Sequence, residues 1–336
     1  MTKKRSDFST GCSTTKTRLQ NDQKDKHPKR SGKLTAADID ILTHLAKFRM
    51  LTVTQLAALT KRSRQVVRRR LRYFARENLV VAQRREFGSG PGARENVVSV
   101  TEKALELLRS KGKITRDNRS DRGRVPEPLF IEHELLVNWF FIHLFHMQRT
   151  QSRLKVQPLI TSSKGFQNGR IKRQPILARL STNETNGDKY TIIPDGVFTI
   201  SDRKKRKVLL FFLEVDRGTE PLVNKKRMPG DIRHKIICYQ RVFKSGRYKG
   251  FEKTFQAKFQ GFRLLFLINE SRRMTDVCNL VQQMVPSDFI WATTRDQMDS
   301  LGLSASIWAR GGRYNNALTS ILGRHAFEAS VLDTIR

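Results

Sequence analysis

TIIPDGVFTI (191–200) and VLLFFLEVDRG (208–218) are two apolar runs joined by the basic stretch SDRKKRK (201–207). The second run is nearly continuous in Val, Leu and Phe, as expected for a central strand covered on both faces. Both runs carry acid where a strand should be buried. Asp195 lies in the first, Glu214 and Asp216 in the second. Buried carboxylates are costly unless they are paired, protonated or holding a cation. Glu214 and Asp216 are two residues apart, so on a strand they share a face. A hairpin that sets Asp195 opposite Glu214 would make all three converge.

The flanking sequence supplies the other parts of the layer. A long helix is expected from Pro126 to about Gln148, then a strand, RLKVQPLI (153–160). Residues 161–189, rich in Gly, Asn, Ser and Lys, predict a mobile loop. After the acidic strands a helix is expected over roughly 220–243, carrying Lys225, Lys226, Arg227, Arg233, Lys235 and Arg241. FRLLFLIN (262–269) reads as a strand, Ser271 caps a helix through Met284, and DFIWATT (288–294) is a further strand. Helix, three strands, helix, strand, helix, strand is a three-layer α/β arrangement. The tail 301–336 has weak helical periodicity and no clear role.

Pro194-Asp195 on one strand and Glu214-x-Asp216 on the next resembles the acidic motif of the restriction-endonuclease-like fold. That resemblance implies Asp195, Glu214 and Asp216 as catalytic and metal-binding residues, with Mg²⁺ as cofactor. Convergent carboxylates suit a hard cation, which phosphodiester hydrolysis needs to activate water and neutralise phosphate charge. Asp216 departs from the motif, standing where it has Lys. Lys225, Lys226 or Lys235 could substitute, whereas Arg217 should face away, and Glu132, His133 or Glu134 could add a ligand. Two plainer readings compete. The carboxylates could form salt bridges to Arg217, Lys225 or Lys235 that hold the hairpin to the helix, or the domain could be a nuclease relic serving as a platform.

Upstream, residues 34–110 form a second set of signals. Ile39, Ile41, Leu42, Leu45 and Phe48 follow helical spacing after Thr35. Thr52 with Gln55 makes a capping box for TVTQLAALT. After a brief turn, Ser63 caps RQVVRRRLRYFARE, with Val66, Val67, Leu71 and Phe74 on one face. A strand (79–85), a Gly/Pro-rich tip (87–95), a strand (96–100) and a helix capped by Thr101 complete the parts of a winged helix-turn-helix. Between Lys61 and Arg85 there are ten basic residues and one acid, Glu77. In a helix-turn-helix the start of such a helix enters the major groove, where Arg pairs with guanine and Gln with adenine. Ser63, Arg64, Gln65, Arg68 and Arg69 are the candidate base contacts. Arg72, Arg76, Arg84 and Arg85 are the candidate phosphate contacts, and Arg94 is the reaching residue of the wing. A solvated basic helix face with a purely structural hairpin is the bland alternative.

Composition sets the bounds. The 336 residues have room for about two domains. Lys and Arg number 65 against 31 Asp and Glu, a formal net charge of +34, which points to a polyanionic partner, most simply nucleic acid. No apolar run reaches the roughly 18 residues of a spanning helix, so no membrane partner is expected. The N-terminus lacks the apolar core of a secretory signal. Cys12, Cys238 and Cys278 are far apart and odd in number, matching a reduced cytoplasmic setting without disulfides or a zinc knuckle. Residues 1–33 read as a disordered basic arm and 111–125 as a basic linker, leaving 34–110 and 126–300 as the folded domains.

Taken together, the winged helix, EHELLVNWFF (132–141), PDGVF, FFLEVDRGTEPL (211–222), a basic helix ending in Tyr239, FRLLFLINESRRM (262–274) and FIWATT resemble the replication-relaxation family of bacterial mobile elements over about residues 35–295. The resemblance implies a role in plasmid replication or mobilisation and in the relaxed state of plasmid DNA, with replication or mobilisation proteins as partners. It also implies that Asp216-Arg217-Gly218-Thr219 is the family's ordinary pattern and that His133 belongs to a shared helix motif. Three functions are expected to compete: a duplex-DNA-binding protein, a Mg²⁺-dependent endonuclease or nickase, and a repressor whose α/β domain only dimerises or binds a partner.

Overall fold

Helix-forming and strand-forming segments alternate much as the patterning dictates. The computed structural model describes residues 34–85, 95–114, 128–159, 165–167, 170–172, 180–183, 189–204, 207–224, 230–315 and 318–323. The N-terminal arm, most of the linker, the wing tip with Arg94, and Lys225, Lys226 and Arg227 lie outside these residues. No helix among the described residues is long and apolar enough to cross a membrane.

The first part begins with α1 (Ala36–Phe48), β1 (Leu51–Thr52), α2 (Val53–Thr60) and α3 (Arg64–Arg76). Then come β2 (Val80–Gln83), β3 (Val97–Val100) and α4 (Glu102–Ser110). The caps explain where the helices start. Thr52 and Gln55 form a reciprocal capping box on α2, and the hydroxyls of Ser63 and Thr101 accept from Val66 N and Ala104 N. Lys61 ends α2 in the left-handed conformation, with φ of 53°. β3 is central in a small antiparallel sheet of order β1-β3-β2. Ile41, Leu42, Leu45, Leu56, Val67 and Phe74 are all buried in this part.

The second part opens with α5 (Pro128–Thr150) and β4 (Leu154–Leu159). Two short antiparallel pairs come next, β5 (Gly165–Gln167) with β6 (Arg170–Lys172) and β7 (Leu180–Asn183) with β8 (Lys189–Ile192). The acidic strands follow as β9 (Gly196–Asp202) and β10 (Lys207–Asp216). After them come α6 (Ile232–Ser245), the short α7 (Glu252–Phe255), β11 (Phe262–Ile268) and α8 (Ser271–Gln283). β12 (Ile290–Thr294), α9 (Arg295–Leu301) and β13 (Ala309–Arg310) complete the described elements. One six-stranded sheet has the order β13-β12-β11-β10-β9-β4. β10, β11 and β12 are parallel, and β9, β4 and β13 are antiparallel to their neighbours.

Strand alternation sorts the side chains of β10 between two layers. Phe211 stacks on Phe198 of β9 at 4.9 Å between ring centroids, and Phe198 meets Phe140 and Phe141 of α5. Phe212 points the other way, against Tyr239 of α6 and Phe262. β10 is therefore buried on both faces, as its unbroken apolar run requires.

Several expected segments differ. Ser271 opens α8 but Glu270 is its N-cap, without a side-chain cap bond, and the run 191–200 is divided, Thr191 and Ile192 ending β8 while β9 starts at Gly196. α6 starts at Ile232 rather than near 220. Asp231 fixes that start by accepting from His234 N and Asn224 N, both at 2.6 Å, and Pro221 has no N–H to give a helix. Residues 161–189, expected as a loop, hold the β5–β6 pair and most of the β7–β8 pair.

Helix α5 joins the two parts. Its Asn138 Nδ2 donates to Met50 O at 2.8 Å, and Gln55 Nε2 donates to Leu135 O at 2.8 Å. Met50, Val97, Ile131 and Leu135 bury one another at this seam.

Candidate functional site

The β9–β10 pairing runs from Lys207↔Asp202 to Leu213↔Gly196, so its continuation sets Asp195 opposite Glu214. Asp195 N donates to Leu213 O at 2.9 Å, and Asp195 Oδ2 accepts from Val215 N at 2.7 Å. Its other oxygen meets His133 Nε2 of α5 at 2.9 Å. Glu214, almost wholly buried, accepts from Tyr239 OH at 2.6 Å and from Lys235 Nζ at 3.2 Å, both on α6. Lys235 also reaches Glu220 at 2.7 Å.

The charges in this cluster set one another. Burial and the neighbouring Asp195 charge push the Glu214 carboxyl up to about 7, against the pull of Lys235 and Tyr239. Burial would also raise Asp195, but the charge and hydrogen bond of His133, with Lys235 and Val215 N, take it below the ordinary carboxylate value. Burial would lower His133, yet Asp195 and Glu134 carry it above its usual value. Lys235 loses to burial but gains more from Glu214, Asp195 and Glu220, so its ammonium stays charged. Burial and Glu214 keep the Tyr239 phenol protonated well above its ordinary range.

Asp216 does not join this pair. Arg273 Nε of α8 donates to its Oδ2 at 2.7 Å, and Gly218 N donates to Oδ1 at 2.8 Å. The expected convergence of three carboxylates thus becomes two, because the third has its own guanidinium. Among the described residues no group of three His, Cys, Asp or Glu side chains is placed to hold a metal ion. Lys235 is one of the three lysines expected to stand in for the missing Lys, and it lies beside Glu214. Tyr239 is a partner that sequence reasoning misses. Its spacing of four from Lys235, one turn of the same helix, is the signal that could have found it.

The basic helix forms the other candidate surface. Val67, Leu71 and Phe74 bury one face of α3, while Ser63, Arg64, Gln65, Arg68, Arg69, Arg72 and Arg76 are exposed. Arg84 is exposed beyond β2. Among the described residues none of these arginines has an acidic partner. Two other basic residues of this segment are committed inside the protein. Arg70 forks onto Asp38 with both contacts at 2.6 Å and lies 4.6 Å from the centroid of Tyr73. Arg85, expected at phosphate, instead forks onto Glu132 of α5 at 2.8 and 2.6 Å.

Comparison with curated proteins gives no match. Among solved structures, a match is found to "Structure of Lactococcus lactis ZitR, C30AH42A mutant in apo form" at 25% identity. It covers 24% of this chain and 56% of that one, with a TM-score of 0.20, too loose an overlay to bear on the fold. The model of the replication-relaxation family matches residues 42–257, from within α1 to just past α7, and takes in both the basic helix and the acid cluster. The chain belongs to the replication-relaxation family.

Proposed function

We propose that the chain is a duplex-DNA-binding protein that acts in the replication and relaxation of plasmid or integrative-element DNA. Family membership supports the process, and the exposed face of α3 supports the contact. The observation that carries the reading is that face: Arg64, Gln65, Arg68, Arg69 and Arg72 all project outward beside a buried Val67-Leu71-Phe74 stripe. In this reading α1 to α4 with the β2–β3 pair are a winged helix-turn-helix, and α3 enters the major groove. Replacing Arg64, Arg68 and Arg69 together with Ala is expected to abolish site-selective duplex binding, since each forked base contact is worth about 1–3 kcal/mol. Retained selectivity in that variant would refute the assignment.

A second reading is favoured by Lys235. In it the α/β part is endonuclease-like, and Lys235 on α6 takes the place that Asp216 vacates. Asp195 and Glu214 would hold a Mg²⁺ ion, since two carboxylates plus a substrate phosphate suffice for that cation. Bound there, Mg²⁺ would supply charge neutralisation and an activated water. His133 orients Asp195, Tyr239 orients Glu214, and Lys235 offers a fixed positive charge to a phosphate oxygen. Nicking of supercoiled plasmid by the native protein with Mg²⁺, abolished in Asp195→Ala, Glu214→Ala and Lys235→Ala, is the expected result. A duplex footprint without strand scission under any divalent metal would reject this reading and leave the first intact.

A further inference from the structure

The end of the α/β part remote from the acid cluster carries a second charged surface. His133, beside Asp195, lies near the start of α5, and Arg149 lies in its last turn. At 1.5 Å per residue these positions are about 24 Å apart along the helix. At the far end Arg149 donates to Leu59 O of α2 at 3.1 Å. Leu59 is two residues before Lys61, so the turn between α2 and α3 lies close by, and burial with the charges of His143, Arg149 and Lys61 lowers the pKa of His146. The chain then enters β4, where Arg203 N donates to Arg153 O at 3.0 Å, just beyond the end of β9. Lys61, Arg62, Arg149, Arg203 and Lys204 are all exposed. Of the acids nearby, Asp202 faces Arg153 at 4.0 Å and accepts from Lys204 N at 2.9 Å, Asp299 meets His143 and Arg295, and Asp40 meets His44.

We propose that Arg149, Arg203 and Lys204 form a phosphate-backbone track that prolongs the DNA surface of α3 beyond the α2–α3 turn. The inference rests on the reading of α3 as a DNA reader and adds a grip from the α/β part. Continuity with Lys61 and Arg62 makes duplex DNA the partner, rather than an unrelated anion. The track lies at the opposite end of β9 and β10 from Asp195 and Glu214, so it binds without belonging to the acid cluster.

The test uses full-length protein and two duplexes, one of about one helical turn (10 bp) covering the bases α3 reads and one two turns longer. In Arg149→Ala/Arg203→Ala/Lys204→Ala, the log–log dependence of affinity on salt should flatten by about 0.9 for each phosphate that is no longer neutralised. That flattening should appear on the long duplex and be absent on the short one. Arg149→Lys/Arg203→Lys should keep the native slope. If removing the Arg149–Leu59 bond lowers the unfolding midpoint, Arg203→Ala/Lys204→Ala alone should still flatten the slope. A native slope on the long duplex, with binding still abolished in Arg64→Ala/Arg68→Ala/Arg69→Ala, would overturn the track and leave the reader standing. Native-like binding by that reader variant would overturn both.

Discussion

Glu214 carries the least comfortable charge in the acid cluster. Its carboxyl ordinarily titrates near 4.5, and burial beside Asp195 lifts it to about 7. A folded-state pKa above the unfolded one means the native state binds the proton more tightly. The resulting stabilisation is complete below about pH 4.5 and disappears as pH rises through about 7. Glu214→Gln in metal-free protein should remove that decline, a change on the order of 3 kcal/mol across the window. Chemical denaturation at a series of pH values checks it, and an unchanged profile would count against a buried, uncomfortable Glu214. Part of this is legible in the sequence. A carboxylate inside VLLFFLEV announces a buried acid, but which cation meets it depends on a helix some twenty residues on. The same limit hides the fates of Arg70 and Arg85. Counting charges places them with the reader, whereas Asp38 and Glu132, distant in sequence, draw them inward.

At the scale of elements, caps and apolar periodicity are the most legible signals. Thr52 with Gln55, Ser63 and Thr101 each begin a helix where their side chains satisfy the first free N–H groups. The start of α6 is harder to place because a run of basic residues marks no helix boundary, whereas the cap at Asp231 does. The pairs β5–β6 and β7–β8 escape a reading by composition, although Asn168-Gly169 and Asn186-Gly187 are strong hairpin signals. The polar character of the whole stretch masks those local pairs. β13 escapes notice as well: two residues long, it adds to the sheet edge beside β12, next to the buried Trp308. The seam between α5 and β1 gives a prediction at this scale. Asn138 is buried and donates to Met50 O and, at 3.4 Å, to Phe48 O. Asn138→Ala leaves those carbonyls without that donor and should cost about 1–3 kcal/mol, read as a lower unfolding midpoint. A midpoint equal to the native one would show that the seam does not depend on it.

Over the whole molecule, α5 is the common support. Its Asn138 holds Met50 just before β1, Leu135 O holds Gln55 of α2, Glu132 holds Arg85 just past β2, and His133 holds Asp195. The surplus of base over acid then has a physical distribution. Among the described residues the buried acids Asp38, Glu214 and Asp216 each meet a cation of the protein, and bases are exposed along α3 and at the far end of α5. In the function proposed above, this exposed base grips duplex DNA through α3. The direct measurement is an equilibrium titration of one duplex across a salt series, with native protein and with Arg64→Ala/Arg68→Ala/Arg69→Ala. A steep linear fall of log affinity with log salt is expected for the native protein, at about 0.9 per phosphate contact, with no measurable binding by the variant. Equal affinity and equal slope for the two proteins would contradict it.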